Sequence, residues 1–133
     1  MSGLVWVARE TLISLHEASI ARFGGTLGMR DSGLLESALR RPQNAHAYGE
    51  KDLFILASAL GAGIVKNHPF LDGNKRTGFL AAALFLECNW QRFISAEEDV
   101  VLKTLGLAAG AVSKADYAEW LRTSCQKKKK GKG

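Results

Sequence analysis

Two cysteines in 133 residues carry little chemistry here. Cys88 and Cys125 stand far apart and form no CxxC or other metal-ligand spacing. They read as buried or half-buried thiols of a protein kept in a reducing compartment. Long apolar runs are missing too. The longest, Leu53 to Val65, is too short to span a bilayer, which takes about 20 residues. No signal peptide is visible, so the expected location is the cytoplasm, with no membrane partner. Internal repeats and interdomain linkers are absent. An excess of charge is absent as well once its source is located. The net charge of +5 comes from Lys127, Lys128, Lys129, Lys130 and Lys132, and the rest of the chain balances 13 basic against 13 acidic residues. Such a neutral body argues against a specific nucleic-acid partner. The lysine-rich end, 127–133, reads as a disordered tail behind one domain, 1–126. Two phosphate-binding signatures are also missing. There is no GxxxxGK[ST] loop, and Gly61-Ala62-Gly63 lacks the later glycine and preceding strand of a dinucleotide fingerprint.

What is present is helical periodicity almost throughout. Leu12, Ile13, Leu15, His16, Ile20 and Phe23 fit a first helix closed by Gly24-Gly25. Asp31 or Ser32 caps a second, bearing Leu34, Leu35, Ala38 and Leu39, with Pro42 marking its end. Residues 42–51 are polar and read as a loop or short hairpin, with His46 facing solvent. Asp52 caps a third helix, Leu53 to Asn67, apolar on most sides and therefore central. Another apolar helix runs from Asn74 to about Cys88. Ser95 with Glu98 makes a capping box for the next, whose end Gly106 and Gly110 loosen. Ser113 with Asp116 opens the last. Leu4 to Val7 and Gln91 to Ile94 suggest short extended segments. The expected fold is all-α, a compact single-domain bundle of about six helices.

Between the two central helices lies HPFLDGNKRT, His68 to Thr77. Its residue types suit phosphoryl or nucleotidyl transfer, which asks mainly for positioning, charge neutralisation and a base. His68 can accept a proton as general base. Phe70 anchors the loop on the core. Asp72 is the only carboxylate of the loop, and one carboxylate plus substrate phosphates is the usual way to hold Mg²⁺. Gly73 lets backbone approach a phosphate. Asn74, Lys75 and Arg76 open the following helix, where N–H donors, an ammonium and a guanidinium favour a polyphosphate. Two cations at the positive end of a helix are disfavoured unless an anion joins them.

These residues resemble the Fic/Doc family, and within it the Doc branch. The family signature H-x-F-x-[DN]-[AG]-N-K-R is matched from His68 to Arg76. Phe23 to Gln43, Tyr48 to Phe54 and Leu105 to Arg122 also resemble Doc proteins, so the likeness covers all but the lysine tail. It implies the helical Fic/Doc bundle with its active-site loop between two central helices. Typical Fic enzymes transfer AMP from ATP, with glycine after the asparagine and a second arginine three residues after the first. Here Lys75 and Phe79 hold those positions, which favours the Doc activity: γ-phosphate transfer from ATP to a threonine of elongation factor Tu, arresting translation. The resemblance assigns His68 as base, Asp72 as Mg²⁺ ligand, and Gly73, Asn74, Lys75 and Arg76 to the nucleotide phosphates. It likens 42–51 to the flap that docks the target. The self-inhibitory pattern [ST]xxxE[GN] fails here, because Ser37 follows Glu36. Inhibition by a Phd-type antitoxin, folding into a groove of the toxin, is therefore implied. The alternatives are AMP transfer to a protein hydroxyl and, from another class, a catalytically inactive binding module.

Overall fold

The computed structural model describes residues 3–128. Six helices follow in order: α1 (Arg9–Phe23), α2 (Ser32–Ala47), α3 (Leu53–Asn67), α4 (Asn74–Cys88), α5 (Glu97–Ala109) and α6 (Lys114–Thr123). Two short strands, β1 (Gln91–Phe93) and β2 (Cys125–Lys127), form an antiparallel ribbon with Gln91 opposite Lys127 and Phe93 opposite Cys125. The all-α expectation holds. No helix among the described residues is long and apolar enough to cross a membrane.

α3 is central because its sequence is apolar nearly all round. Leu56, Ala57, Leu60, Ile64 and Val65 are all buried, and α2, α4 and α6 pack around them. Small residues let the backbones meet. A Cβ on Gly78 of α4 would lie 2.9 Å from the Gly61 carbonyl oxygen and 2.6 Å from Val65 Cγ2. On the other side, Gly63 faces Ala38 of α2. The helix starts follow local chemistry. Asp31 accepts from Leu34 N–H, Asp52 from Phe54 and Ile55 N–H, and Ser113 from Asp116 N–H.

Several expectations are corrected. α2 does not stop at Pro42 but runs through it to Ala47. The proline removes one backbone donor. Its ring, however, is buried on the same face as Leu35, Ala38 and Leu39, so packing carries the helix onward. The polar residues of 42–47 are simply the outer face. His46 is half-buried, edge-on to Trp6 at 5.6 Å, with Nδ1 3.0 Å from the Glu50 carbonyl. α5 begins at Glu97 behind Ala96, without the Ser95–Glu98 capping box, and Glu97, Glu98 and Asp99 complement its dipole instead. α5 also continues through Gly106 to a left-handed cap at Gly110. Leu4 to Val7 joins no sheet. The buried Asn89 side chain holds it, accepting from Val5 N–H at 2.8 Å and donating to Val5 O at 2.9 Å. Cys88 is exposed, not buried. The folded body extends past residue 126. Lys127 lies in β2, and Lys128 Nζ reaches Glu87 Oε1 at 2.9 Å. The remainder of the expected tail, 129–133, lies outside the described residues.

Candidate active site

α3 ends at His68, whose backbone is left-handed (φ 52°, ψ 57°). For a non-glycine residue this conformation is strained, and surrounding contacts must impose it. They come from Arg30, in the α1–α2 connection. Its guanidinium donates through Nε to the His68 carbonyl at 2.6 Å and through Nη2 to the Asn67 carbonyl at 2.7 Å. A cation thus caps the last orphan carbonyls at the negative pole of α3. The Arg30 and Asp31 N–H groups both donate to the Pro69 carbonyl, and Leu71 N–H donates to Gly28 O. The 28–31 segment therefore lies along 69–71 as a short antiparallel bridge, with Met29 opposite Phe70. The His68 side chain is left exposed above it.

Asp72 is exposed and its carboxylate is held from two sides. Oδ2 accepts from Thr26 N–H at 3.0 Å and Oδ1 from Gly73 N–H at 2.8 Å. These two bonds hold its pKa below the ordinary carboxylate value, with help from the nearby His16 and Lys75. The group is thus ionised at neutral pH. Gly25 makes the approach possible, since a Cβ there would meet Asp72 Oδ2 at 2.9 Å. Among the described residues no cluster of three or more His, Cys, Asp or Glu side chains stands ready for a metal. A site of one ionised carboxylate completed by substrate phosphates fits Mg²⁺ and does not fit a structural zinc.

Gly73 caps α4 in a left-handed conformation (φ 74°) and offers no side-chain cap. The N–H groups at the start of α4 are therefore open to an anion, at the positive pole of the helix. Lys75 and Arg76 are exposed in that first turn, and neither forms an ion pair with another described residue. The Arg76 guanidinium lies 3.8 Å over the Phe23 ring, which steers it along the end of α1. Asn74 is different. It is buried, its Oδ1 accepts from Phe70 N–H at 2.9 Å, and its Nδ2 donates to Phe70 O at 2.9 Å. Its side chain latches the loop, and its backbone N–H is the part left for a phosphate. Thr77 is buried, with its hydroxyl unpaired.

His68, Asp72, Gly73, Lys75 and Arg76 thus gather around one loop, with the Asn74 amide beneath it. Next to Lys75 and Arg76 opens a mainly apolar cavity of about 470 Å³, with Phe79, Phe93, Val101 and Leu105 on its walls. Sequence reasoning missed the residues that hold the loop from outside: Arg30, Gly25, Thr26 and His16. Gly25 and Gly28 after α1 were the available signal, since a Cβ would press on Asp72 at the first and on Leu71 at the second.

The model of the Fic/DOC family matches residues 6–86. The protein kinase doc of Escherichia phage P1 is 38% identical over 117 residues, which is 87% of this chain and 92% of that protein. The toxin Doc of Mycolicibacterium smegmatis is 47% identical over 78 residues, 56% of this chain and 58% of that protein. Family match, long relative and loop geometry converge: the chain belongs to the Fic/DOC family, on its Doc branch.

Proposed function

We propose that this protein is a Doc-type toxin that transfers the γ-phosphate of ATP to a threonine hydroxyl of a translation factor, elongation factor Tu, and so arrests translation. The observation that carries the reading is the uncapped start of α4, where Lys75 and Arg76 have no ion-pair partner among the described residues and an ionised Asp72 lies just ahead of them in the loop that begins at His68. A polyphosphate supplies the missing anion. The backbone donors of α4, Lys75 and Arg76 bind and orient it and neutralise charge that grows on its oxygens. Asp72 with those phosphates would hold Mg²⁺, which contributes further charge neutralisation when bound. His68, free of other duties, takes the proton from the acceptor hydroxyl. Phe79 occupies the place of the second arginine used in AMP transfer and packs instead on Phe93 at 5.3 Å. That apolar wall supports the kinase reading over nucleotidyl transfer. The names of the relatives, a protein kinase and a toxin, support it as well.

A Phd-type antitoxin belongs to the same proposal. The apolar cavity beside Arg76 suits an amphipathic helix with an acidic residue set toward Lys75 and Arg76. The test is a transfer assay in a bacterial translation extract, with ATP labelled at either the α or the γ position. Label from γ alone on elongation factor Tu, reduced about 10²–10⁴-fold by His68→Ala, is the expected result. Label from α would establish AMP transfer instead. Wild-type growth arrest that persists in His68→Ala would establish an inactive binding module.

A further inference from the structure

Beneath the loop lies a histidine to which the catalytic reading gives no role. His16 of α1 is 1% exposed. Its ring stacks on Phe70 with centroids 3.8 Å apart and planes 8° from parallel. Its Nε2 lies 2.8 Å from the Asp72 carbonyl oxygen. A carbonyl only accepts, so Nε2 carries the proton and donates. That carbonyl shares one planar, trans peptide with the Gly73 N–H, so the two groups point in opposite directions. When His16 draws the carbonyl inward, the Gly73 N–H is turned outward. There it donates to Asp72 Oδ1 at 2.8 Å. A Cβ on Gly73 would sit 3.1 Å from Ile20 Cδ1 and 3.8 Å from His16 Nε2, so the peptide is packed closely on Ile20 and lies in van der Waals contact with the ring.

We propose that His16 is a positioning residue for the metal-binding carboxylate, acting through the orientation of the Asp72–Gly73 peptide. Without its donor, the peptide loses the bond that fixes its plane. The Gly73 N–H then no longer aims at Asp72 Oδ1, and the carboxylate keeps only its bond from Thr26. The proposal rests on the reading of Asp72 as ligand of a divalent cation shared with nucleotide phosphates. It concerns affinity and geometry, not proton transfer.

The test measures binding of Mn²⁺ with ATP, by the free Mn²⁺ spin signal, in wild type and three variants. His16→Leu fills the site without a donor and should weaken Mn²⁺ binding about 10–100-fold, the usual range for partners that orient a metal ligand. His16→Gln, whose amide nitrogen reaches the same carbonyl, should regain most of that loss. A purely structural role would move the melting temperature of the two variants together and would not distinguish them in Mn²⁺ affinity. Asp72→Asn run in parallel separates the levels. Equal Mn²⁺ affinity in wild type and Asp72→Asn would remove the metal-site reading and the proposal with it. A loss in Asp72→Asn with none in His16→Leu, or equal losses in the leucine and glutamine variants, would remove the role of His16 alone. Should His16→Leu fail to fold, His16→Asn takes its place, because its shorter amide stops short of the carbonyl. Nitrogen-detected NMR of the wild-type ring provides a second check. The expected signal is a protonated Nε2, and a proton on Nδ1 alone would overturn the proposal.

Discussion

Asn74→Ala separates two roles that one residue can fill, ligand and latch. In the structure both polar atoms of its side chain are spent on the backbone of Phe70, at 2.9 Å each. Phe70 is 2% exposed, so water replaces neither bond readily. Each lost bond costs about 1 kcal/mol net, and a buried donor left unpaired costs about 1–3 kcal/mol. The expected destabilisation is therefore about 2–4 kcal/mol. At roughly 4 °C per kcal/mol for a domain of this size, the melting temperature should fall by roughly 8–16 °C. Differential scanning calorimetry of the protein without nucleotide measures this directly. Asn74→Asp adds a control. It keeps the acceptor for Phe70 N–H but sets a carboxylate against the Phe70 carbonyl, so it should not restore stability. A melting temperature within about 2 °C of wild type, together with loss of ATP binding, would refute the latch and restore the side chain to the phosphate site.

Gly78→Ala should destabilise by about 1–3 kcal/mol in urea unfolding, because its Cβ would press on the Gly61 carbonyl and Val65 at the α3–α4 crossing. Thr77→Val should raise stability by about 1 kcal/mol in the same assay, since the buried hydroxyl it removes has no partner. A loss of stability there would mean that the hydroxyl has a partner in solution. Tyr117, buried and bonded to Thr104 at 3.1 Å, has its pKa pushed up to about 12, mainly by burial. The folded state keeps this proton where the unfolded chain, near pH 10, loses it. Stability is thus complete below about pH 10 and should fall as pH rises from about 10 to about 12. Phenolate absorbance at the buried Tyr117 should accordingly develop only near pH 12 while the protein stays folded.

Much of this was legible in the chain itself, for identifiable reasons. α3 and α4 announce themselves because their apolar residues lie on nearly all sides, and Asp52 and Ser113 cap as their positions suggest. The loop from His68 to Arg76 stands out because dense polar chemistry interrupts two apolar helices. Three kinds of information were not legible. Periodicity does not tell a polar outer face from a loop, so 42–47 was misjudged, and Pro42 strengthened the error. An asparagine at a helix start looks the same whether it binds ligand or its own loop, so the Asn74 latch emerged only from the hydrogen bonds. Finally, Arg30 and His16 act on residues 38 and 56 positions away, a separation that local pattern does not encode. The lysine run misled for a related reason. Composition alone said tail, while Glu87 and the ribbon register took Lys127 and Lys128 into the body.

The crossing of α3 and α4 has a consequence for how such a protein can change. The helices that carry His68 at one end and Lys75 and Arg76 at the other meet backbone to backbone at Gly61 and Gly78. Beside the Gly61 carbonyl only the short, stiff Val65 side chain reaches Gly78, so the crossing holds little soft material to absorb a substitution. The spacing between His68 and the start of α4 is in effect a fixed gauge. Room for change is thereby left at the periphery: the 24–31 connection, the exposed leucines at 27 and 71, and the exposed Val101, Leu102 and Leu105 of α5. The crossing thus leaves the surface of the fold far freer to vary than the separation of its two loop ends.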